Sequence, residues 1–94
     1  MRTIYKYELE VADYQEIEMP VICNVISIIN QDGKIMIYAE VNTDQPLSTK
    51  AFYIFGTGQD IKDLMFTELK FVGTVQMNTE AGNFVWHVYY KNKG

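Results

Sequence analysis

Ile22-Cys23-Asn24-Val25-Ile26-Ser27-Ile28-Ile29-Asn30-Gln31-Asp32-Gly33-Lys34-Ile35-Met36-Ile37-Tyr38-Ala39-Glu40-Val41-Asn42 is the stretch that decides the fold. Two runs rich in β-branched residues, 22–30 and 34–42, flank Gln31-Asp32-Gly33. Asp-Gly between such runs is the strongest short-range signal for a β-hairpin. Both faces of the hairpin read as largely apolar. Alternation puts Ile26 and Ile28 on one side of the first strand and Val25 and Ile29 on the other, while Ile35, Ile37, Ala39 and Val41 oppose Met36 and Tyr38. A strand apolar on both faces is covered twice, by a second sheet, a helix or a partner subunit.

Outward from the hairpin the same period continues. In Arg2 to Leu9, Tyr5, Tyr7 and Leu9 alternate with Lys6 and Glu8, the pattern of a half-buried strand. Tyr14 to Met19 is a short extended segment closed by Pro20, which lacks an N–H to give a central ladder and so marks an edge or boundary. Thr43 to Thr49, with Pro46 and Ser48, reads as a loop, and Lys50 to Phe55 as a strand. From Ile61 to Leu69, apolar residues at 61, 64, 65 and 69 predict one or two helical turns, with Asp60 as N-cap. Phe71 to Met77 and Asn83 to Lys91 are predicted strands joined by the five-residue loop 78–82. The expected fold is mostly β: an antiparallel β-sandwich or partly open barrel of six to seven strands with one short helix.

The chain has 94 residues, enough for a single domain over 1–94. Surface scaling lets such a domain bury about 65% of its unfolded surface, so disulfide or metal staples are unnecessary. Hydrophobic residues make up 48% and charged residues 21%, which excludes a disordered chain. Thirteen aromatics (seven Tyr, five Phe, one Trp) stand against one His and one Cys, so catalytic residue types are scarce while contact-forming ones abound.

Charge narrows the partners. Arg2 and Lys6 against Glu8, Glu10, Asp13, Glu16 and Glu18 put −3 of the chain's net −4 into its first 20 residues. A nucleic-acid binder presents a basic face, so direct nucleic-acid binding is not expected. The acidic stretch reads as a solvated strand edge rather than a mimic of nucleic acid. The opening residues lack a signal-peptide core and no window reaches 18 apolar residues, so the expectation is a soluble cytoplasmic protein without a membrane role. Cys23 has no disulfide partner and lies among Val21, Ile22 and Val25, which predicts a buried structural thiol.

Three constellations remain. No metal or cofactor is expected, because one His and one Cys cannot supply a zinc site and the acids have no calcium-loop spacing. Gly56-Thr57-Gly58, between a strand and a predicted helix start, reads either as a turn needing positive φ or as an anion contact through backbone N–H groups and a hydroxyl. It has neither the P-loop nor the dinucleotide fingerprint. His87 lies on one face with Val85 and Tyr89, opposite Phe84, Trp86, Val88 and Tyr90, and reads as a hydrogen-bonded, partly buried histidine or as a pocket donor. Tyr5, Tyr7, Tyr53, Tyr89 and Tyr90 are candidates for lining a pocket or a subunit contact.

Five segments occur in order: Ile4-Tyr5-Lys6-Tyr7 with Leu9; Ile17-Glu18-Met19-Pro20; Phe55-Gly56-Thr57-Gly58 with Ile61; Phe71-Val72-Gly73-Thr74 with Gln76; and Phe84-Val85-Trp86-His87-Val88-Tyr89. Together they resemble a family of small uncharacterised proteins encoded mainly by bacteriophages and prophages. The resemblance implies a phage origin, a host cytoplasmic location and a compact fold, without an agreed activity. Small non-enzymatic phage proteins in general often act on host machinery, including as inhibitors of defence systems.

The functional expectation is therefore a non-enzymatic binding protein, an inhibitor of host defence that sequesters a nucleotide-like anion. Gly56, Thr57 and Gly58 would meet phosphate, Lys6 would supply charge, Tyr53 would stack on a base, and Gln76 or His87 would fix its edge. The alternative is a protein–protein inhibitor or structural module docking on a host or virion protein. Doubly apolar strands predict a homo-oligomer in either case.

Overall fold

A computed structural model describes residues 1–62 and 68–93. In it the decisive turn forms as its residues dictate. Gln31 pairs with Lys34, and the two residues between them, Asp32 and Gly33, have φ of 53° and 81°. Positive φ at both central positions is the type I′ geometry whose twist matches the flanking strands. Asn30 reinforces it by accepting the Gly33 N–H at 2.9 Å on its side-chain oxygen.

Seven strands result: β1 (Arg2–Leu9), β2 (Tyr14–Pro20), β3 (Cys23–Gln31), β4 (Lys34–Asn42), β5 (Leu47–Gly56), β6 (Lys70–Thr79) and β7 (Gly82–Asn92). They make two antiparallel sheets, ordered β1-β4-β3 and β2-β5-β7-β6. The fold is a β-sandwich and not a closed barrel. Its core is the inward row of each strand, since side chains alternate faces with period two. Ile35, Ile37, Ala39 and Val41 of β4 face Met19, Phe52, Ile54, Val75, Met77, Val88 and Tyr90 of the other sheet, all buried. Each Ile, Val, Met or Phe among them contributes about 1.5–3 kcal/mol on burial.

Several expectations need correction. A β-bulge between Val25 and Ser27 shifts the register of β3, so Val25 and Ile28 both pack on the core while Ile26 and Ile29 are exposed. One inserted residue reverses every side chain beyond it. Cys23 is half-buried against the core rather than fully enclosed. The expected loop 78–82 shrinks to Glu80-Ala81: Thr79 pairs with Gly82, the Thr79 hydroxyl accepts the Ala81 N–H (3.2 Å) and donates to the Gly82 carbonyl (3.0 Å), and Gly82 takes a φ of 134°. Likewise β5 begins at Leu47, shortening the loop before it. No helix occurs among the described residues. The one expected over Ile61–Leu69 falls mostly on residues 63–67, outside the described residues, and Ile61, Lys62 and Leu69 beside them have no regular structure.

Lys50 was read only as a strand residue, yet it points into the sandwich and is 3% exposed. Its ammonium donates to the Ser48 hydroxyl (3.3 Å) and the Val21 carbonyl (3.5 Å), which offset part of its desolvation.

Along one side β3 lies against β6 and joins the sheets. The Asn30 side chain donates to the Gln76 carbonyl at 3.0 Å, and Gly73 lets Ile28 approach so closely that a Cβ there would sit 2.5 Å from Ile28 Cγ2. Gly73→Ala should therefore destabilise the fold by about 1–3 kcal/mol in urea unfolding, as overpacking does. In an Ile28→Ala background the same substitution should cost nothing; additive costs would show that Gly73 serves another purpose.

Candidate binding face

Because Phe52, Ile54, Val88 and Tyr90 point inward, their neighbours in sequence point out of the four-stranded sheet. Register then aligns one aromatic ring from each strand: Tyr14 of β2 opposite Tyr53 of β5, Tyr53 opposite Tyr89 of β7, and Tyr89 opposite Phe71 of β6. The ring centroids of Tyr14 and Tyr53 are 5.1 Å apart, as are those of Phe71 and Tyr89. Phe55 packs edge-on to Tyr89 at 5.8 Å. The ends of the row are open, with Tyr14 44% and Phe71 57% exposed, whereas Phe55 is 7% exposed.

One row further along, Phe55 lies opposite His87 and His87 opposite Thr74. His87 Nε2 is 2.8 Å from the Thr57 hydroxyl and Nδ1 is 2.9 Å from the Thr74 hydroxyl. Both ring nitrogens are thus engaged by hydroxyls, which can donate to one nitrogen and accept from the other. The Gly-Thr-Gly segment is a tight turn: the Gln59 N–H donates to the Gly56 carbonyl at 3.0 Å and Gly58 has a φ of 87°. The Gln59 side chain accepts the Gly56 N–H in return, also at 3.0 Å. Only Gly58 requires positive φ. Gly56 is in close quarters instead, since a Cβ would lie 3.4 Å from the Trp86 ring.

On the other flank, the Tyr14 hydroxyl and the Lys93 ammonium (2.6 Å) both donate to Glu16. Lys91 donates to Glu68 at 3.2 Å and lies 5.9 Å from the centre of the Tyr53 ring. Hydrogen bonds from Lys93 and then Tyr14 hold the Glu16 carboxyl below its ordinary range, and the same contacts raise Tyr14 and Lys93. Beside the row, a depression of about 470 Å³ is lined, among the described residues, by Tyr14, Tyr53 and Phe55 with Asp13, Gln59, Asp60 and Lys62.

Of the residues singled out from sequence, Tyr53, Thr57, Gln76 and His87 share this face, with Gly56 and Gly58 framing the turn at its margin. Lys6 does not join them. It is exposed on the outer face of the other sheet, opposite Tyr38. Among the other suspected tyrosines, Tyr89 lies in the row, Tyr90 is in the core, Tyr7 packs against the core, and Tyr5 is 43% exposed on β1. Tyr14, Phe55, Phe71 and Thr74 were missed. Only the strand order β2-β5-β7-β6 brings them together, and no local pattern encodes that order.

Among the described residues, no group of three or more His, Cys, Asp or Glu is placed to hold a metal ion. No described helix is long and apolar enough to cross a membrane. Fold and face together define a small antiparallel β-sandwich presenting an aromatic row on one sheet. All 94 residues match the family described as Domain of unknown function (DUF7352), and the chain belongs to that family. No curated protein and no solved structure matches it.

The Glu16 cluster yields a pH-dependent readout. A depressed folded pKa stabilises above the ordinary carboxylate value, and that contribution is lost as pH falls through the folded value. In an NMR titration Glu16 should titrate below the ordinary carboxylate value, and Lys93→Met with Tyr14→Phe should return it to the ordinary range. Titration at the ordinary value in the unaltered protein would dissolve the cluster.

Proposed function

We propose that this chain is a non-enzymatic binding module that docks a protein partner on the aromatic face of its four-stranded sheet, with a cationic side chain of the partner entering the depression beside Tyr14 and Tyr53. The observation that carries this reading is the lining of that depression: two carboxylates, Asp13 and Asp60, against one ammonium, Lys62, among the described residues, next to three aromatic rings. An arginine over a tyrosine face gains about 0.5–2 kcal/mol, and adjacent carboxylates add charge-assisted hydrogen bonds. Aromatic residues exposed in a contiguous row are the side chains that dominate protein interfaces. The resemblance to phage and prophage proteins makes a host or virion protein the natural partner class, met in the host cytoplasm, and inhibition of a host defence the natural consequence.

Sequestration of a nucleotide-like anion, the other reading, draws less support from the same residues. The Thr57 hydroxyl is engaged by His87 and the Gly56 N–H by Gln59. Lys91 and Lys93 are paired with Glu68 and Glu16, and Lys6 lies on the other sheet. The two readings separate experimentally. Pull-down from bacterial host lysate, followed by titration of the recovered partner, should give a stoichiometric complex weakened at least tenfold by Tyr14→Ala or Asp60→Lys and unchanged by Asn24→Ala, which is exposed on the other sheet. Calorimetric binding of cyclic nucleotides or ADP-ribose derivatives, abolished by Thr57→Val, would instead establish ligand capture and displace the protein-docking reading.

A further inference from the structure

The free edges of the two sheets are not equivalent. β2 carries Glu16, Glu18 and Pro20, while β6 and β3 are each bulged, between Phe71 and Gly73 and between Val25 and Ser27, and lean on one another. These are the usual devices that keep edges from pairing. β1 carries charge of both signs in Arg2, Lys6 and Glu8 but, among the described residues, no other such device. It contains no proline, it pairs with β4 without a register shift over its whole length, and β2, the nearest edge of the other sheet, packs against β4.

Which main-chain groups of β1 face outward follows from the ladder. The Thr43 N–H donates to the Met1 carbonyl at 2.9 Å, continuing the register in which Arg2 lies opposite Asn42. Hydrogen-bonded pairs alternate along an antiparallel ladder, so Thr3, Tyr5, Tyr7 and Leu9 bond to β4 and Arg2, Ile4, Lys6 and Glu8 direct their N–H and C=O groups to the free edge. The Asn42 N–H, donating to the Ile22 carbonyl of the β3 side at 3.2 Å, confirms the alternation on β4. The edge also has a defined end. The next outward-facing residue, Glu10, is capped on both main-chain groups by the Gln15 side-chain amide, which accepts its N–H at 2.9 Å and donates to its carbonyl at 2.8 Å.

The uncapped edge is therefore Arg2, Ile4, Lys6 and Glu8, a set symmetric about Tyr5. We propose that β1 pairs antiparallel with β1 of a second copy of this chain, with Tyr5 opposite Tyr5 on the two-fold axis, joining two three-stranded sheets into one of six strands. In this register Arg2 lies opposite Glu8 of the second copy, and Ile4 opposite Lys6, in both directions by symmetry. Each of these pairs exchanges two main-chain hydrogen bonds. Charge selects the register. Within each copy Arg2 already contacts Glu40 (2.7 Å) and Glu8 lies 3.7 Å from Lys34, so pairing across the join gives a row of alternating sign: Lys34, Glu8, then Arg2 and Glu40 of the second copy. A slip of two residues sets Lys6 against Lys6 or Arg2 against Lys6, and a slip of one turns the faces over. Ile4, 57% exposed, gains the aliphatic stem of the opposing Lys6, and Tyr5 gains a ring across the axis.

Light scattering after gel filtration, at about 100 µM loading, should give twice the 10.9 kDa chain mass. Lys6→Pro removes an outward N–H and leaves the β4 ladder intact, so it should give a monomer with an unchanged circular-dichroism spectrum. Arg2→Glu and Glu8→Arg should each weaken the dimer at least tenfold, and the double exchange should recover part of the loss, since it remakes the pairs across the join while setting like charges beside Glu40 and Lys34 within each copy; a folding defect cannot mimic that recovery. In a Cys23→Ala background, Tyr5→Cys should oxidise to a covalent dimer while Ile4→Cys should not. A monomeric unaltered protein, a dimer that survives Lys6→Pro, or crosslinking through Ile4→Cys instead of Tyr5→Cys would overturn the proposal.

Discussion

With β1 on one side and β3 on the other, β4 has both hydrogen-bonding edges occupied and one face wholly buried, and the rest of the sandwich takes its bearings from that. Its inward row, Ile35, Ile37, Ala39 and Val41, cannot slip by one residue without moving four apolar side chains from core to solvent. The Asp32-Gly33 turn fixes β3 to this register, and β1 follows along its full length. The second sheet then presents Phe52, Ile54, Val88 and Tyr90 to the same row. Even the direction in which β1 turns its free main-chain groups is a consequence, since the residues bonded to β4 are those whose neighbours face away.

Local chemistry made β4, its turn and the edge position of Pro20 legible in the sequence. Alternation and Asp-Gly act over a few residues, and nothing distant opposes them. Where the sequence misled, two local readings were equally good. Val25 to Ile29 is apolar at four of five positions, so a bulge costs the run no pattern and cannot be seen in it. Asn78 to Gly82 is rich in turn formers, yet the Thr79 hydroxyl holds both ends of a two-residue connection and lets the strands run on. Lys50 hides for the opposite reason: in sequence it marks a polar position, and in the structure its stem lies in the sandwich while its ammonium finds oxygens at the end.

The candidate site divides in the same way. His87 and Thr57 stand out in the sequence because catalytic residue types are scarce in this chain, but they hydrogen-bond to each other, fixing the turn to β7. The aromatic row was missed because its members come from four strands, the first and third 75 residues apart (Tyr14 and Tyr89), and meet only through the order β2-β5-β7-β6. The acidic stretch near the start resolves into edge chemistry. Glu16 holds Lys93 and Tyr14, and Glu18 accepts from the Thr49 hydroxyl at 2.6 Å, so these charges decorate an edge strand that ends in Pro20.

Edge and face then constrain each other. Antiparallel pairing of two copies through β1 proceeds by rotation about an axis perpendicular to the sheet, which keeps outward side chains outward on both. In the proposed dimer the four-stranded sheets would therefore lie on the same side of the joined sheet, with their aromatic rows looking in the same direction. Neither row takes part in the join, because it lies on the opposite layer from β1. Two such parallel faces would make the second docking event on a repeated or symmetric partner intramolecular, and avidity of that kind exceeds single-site affinity without any new contact. In the proposed dimer, a domain too small to bury a deep cleft would bind through two flat aromatic surfaces, set side by side by the β1 join.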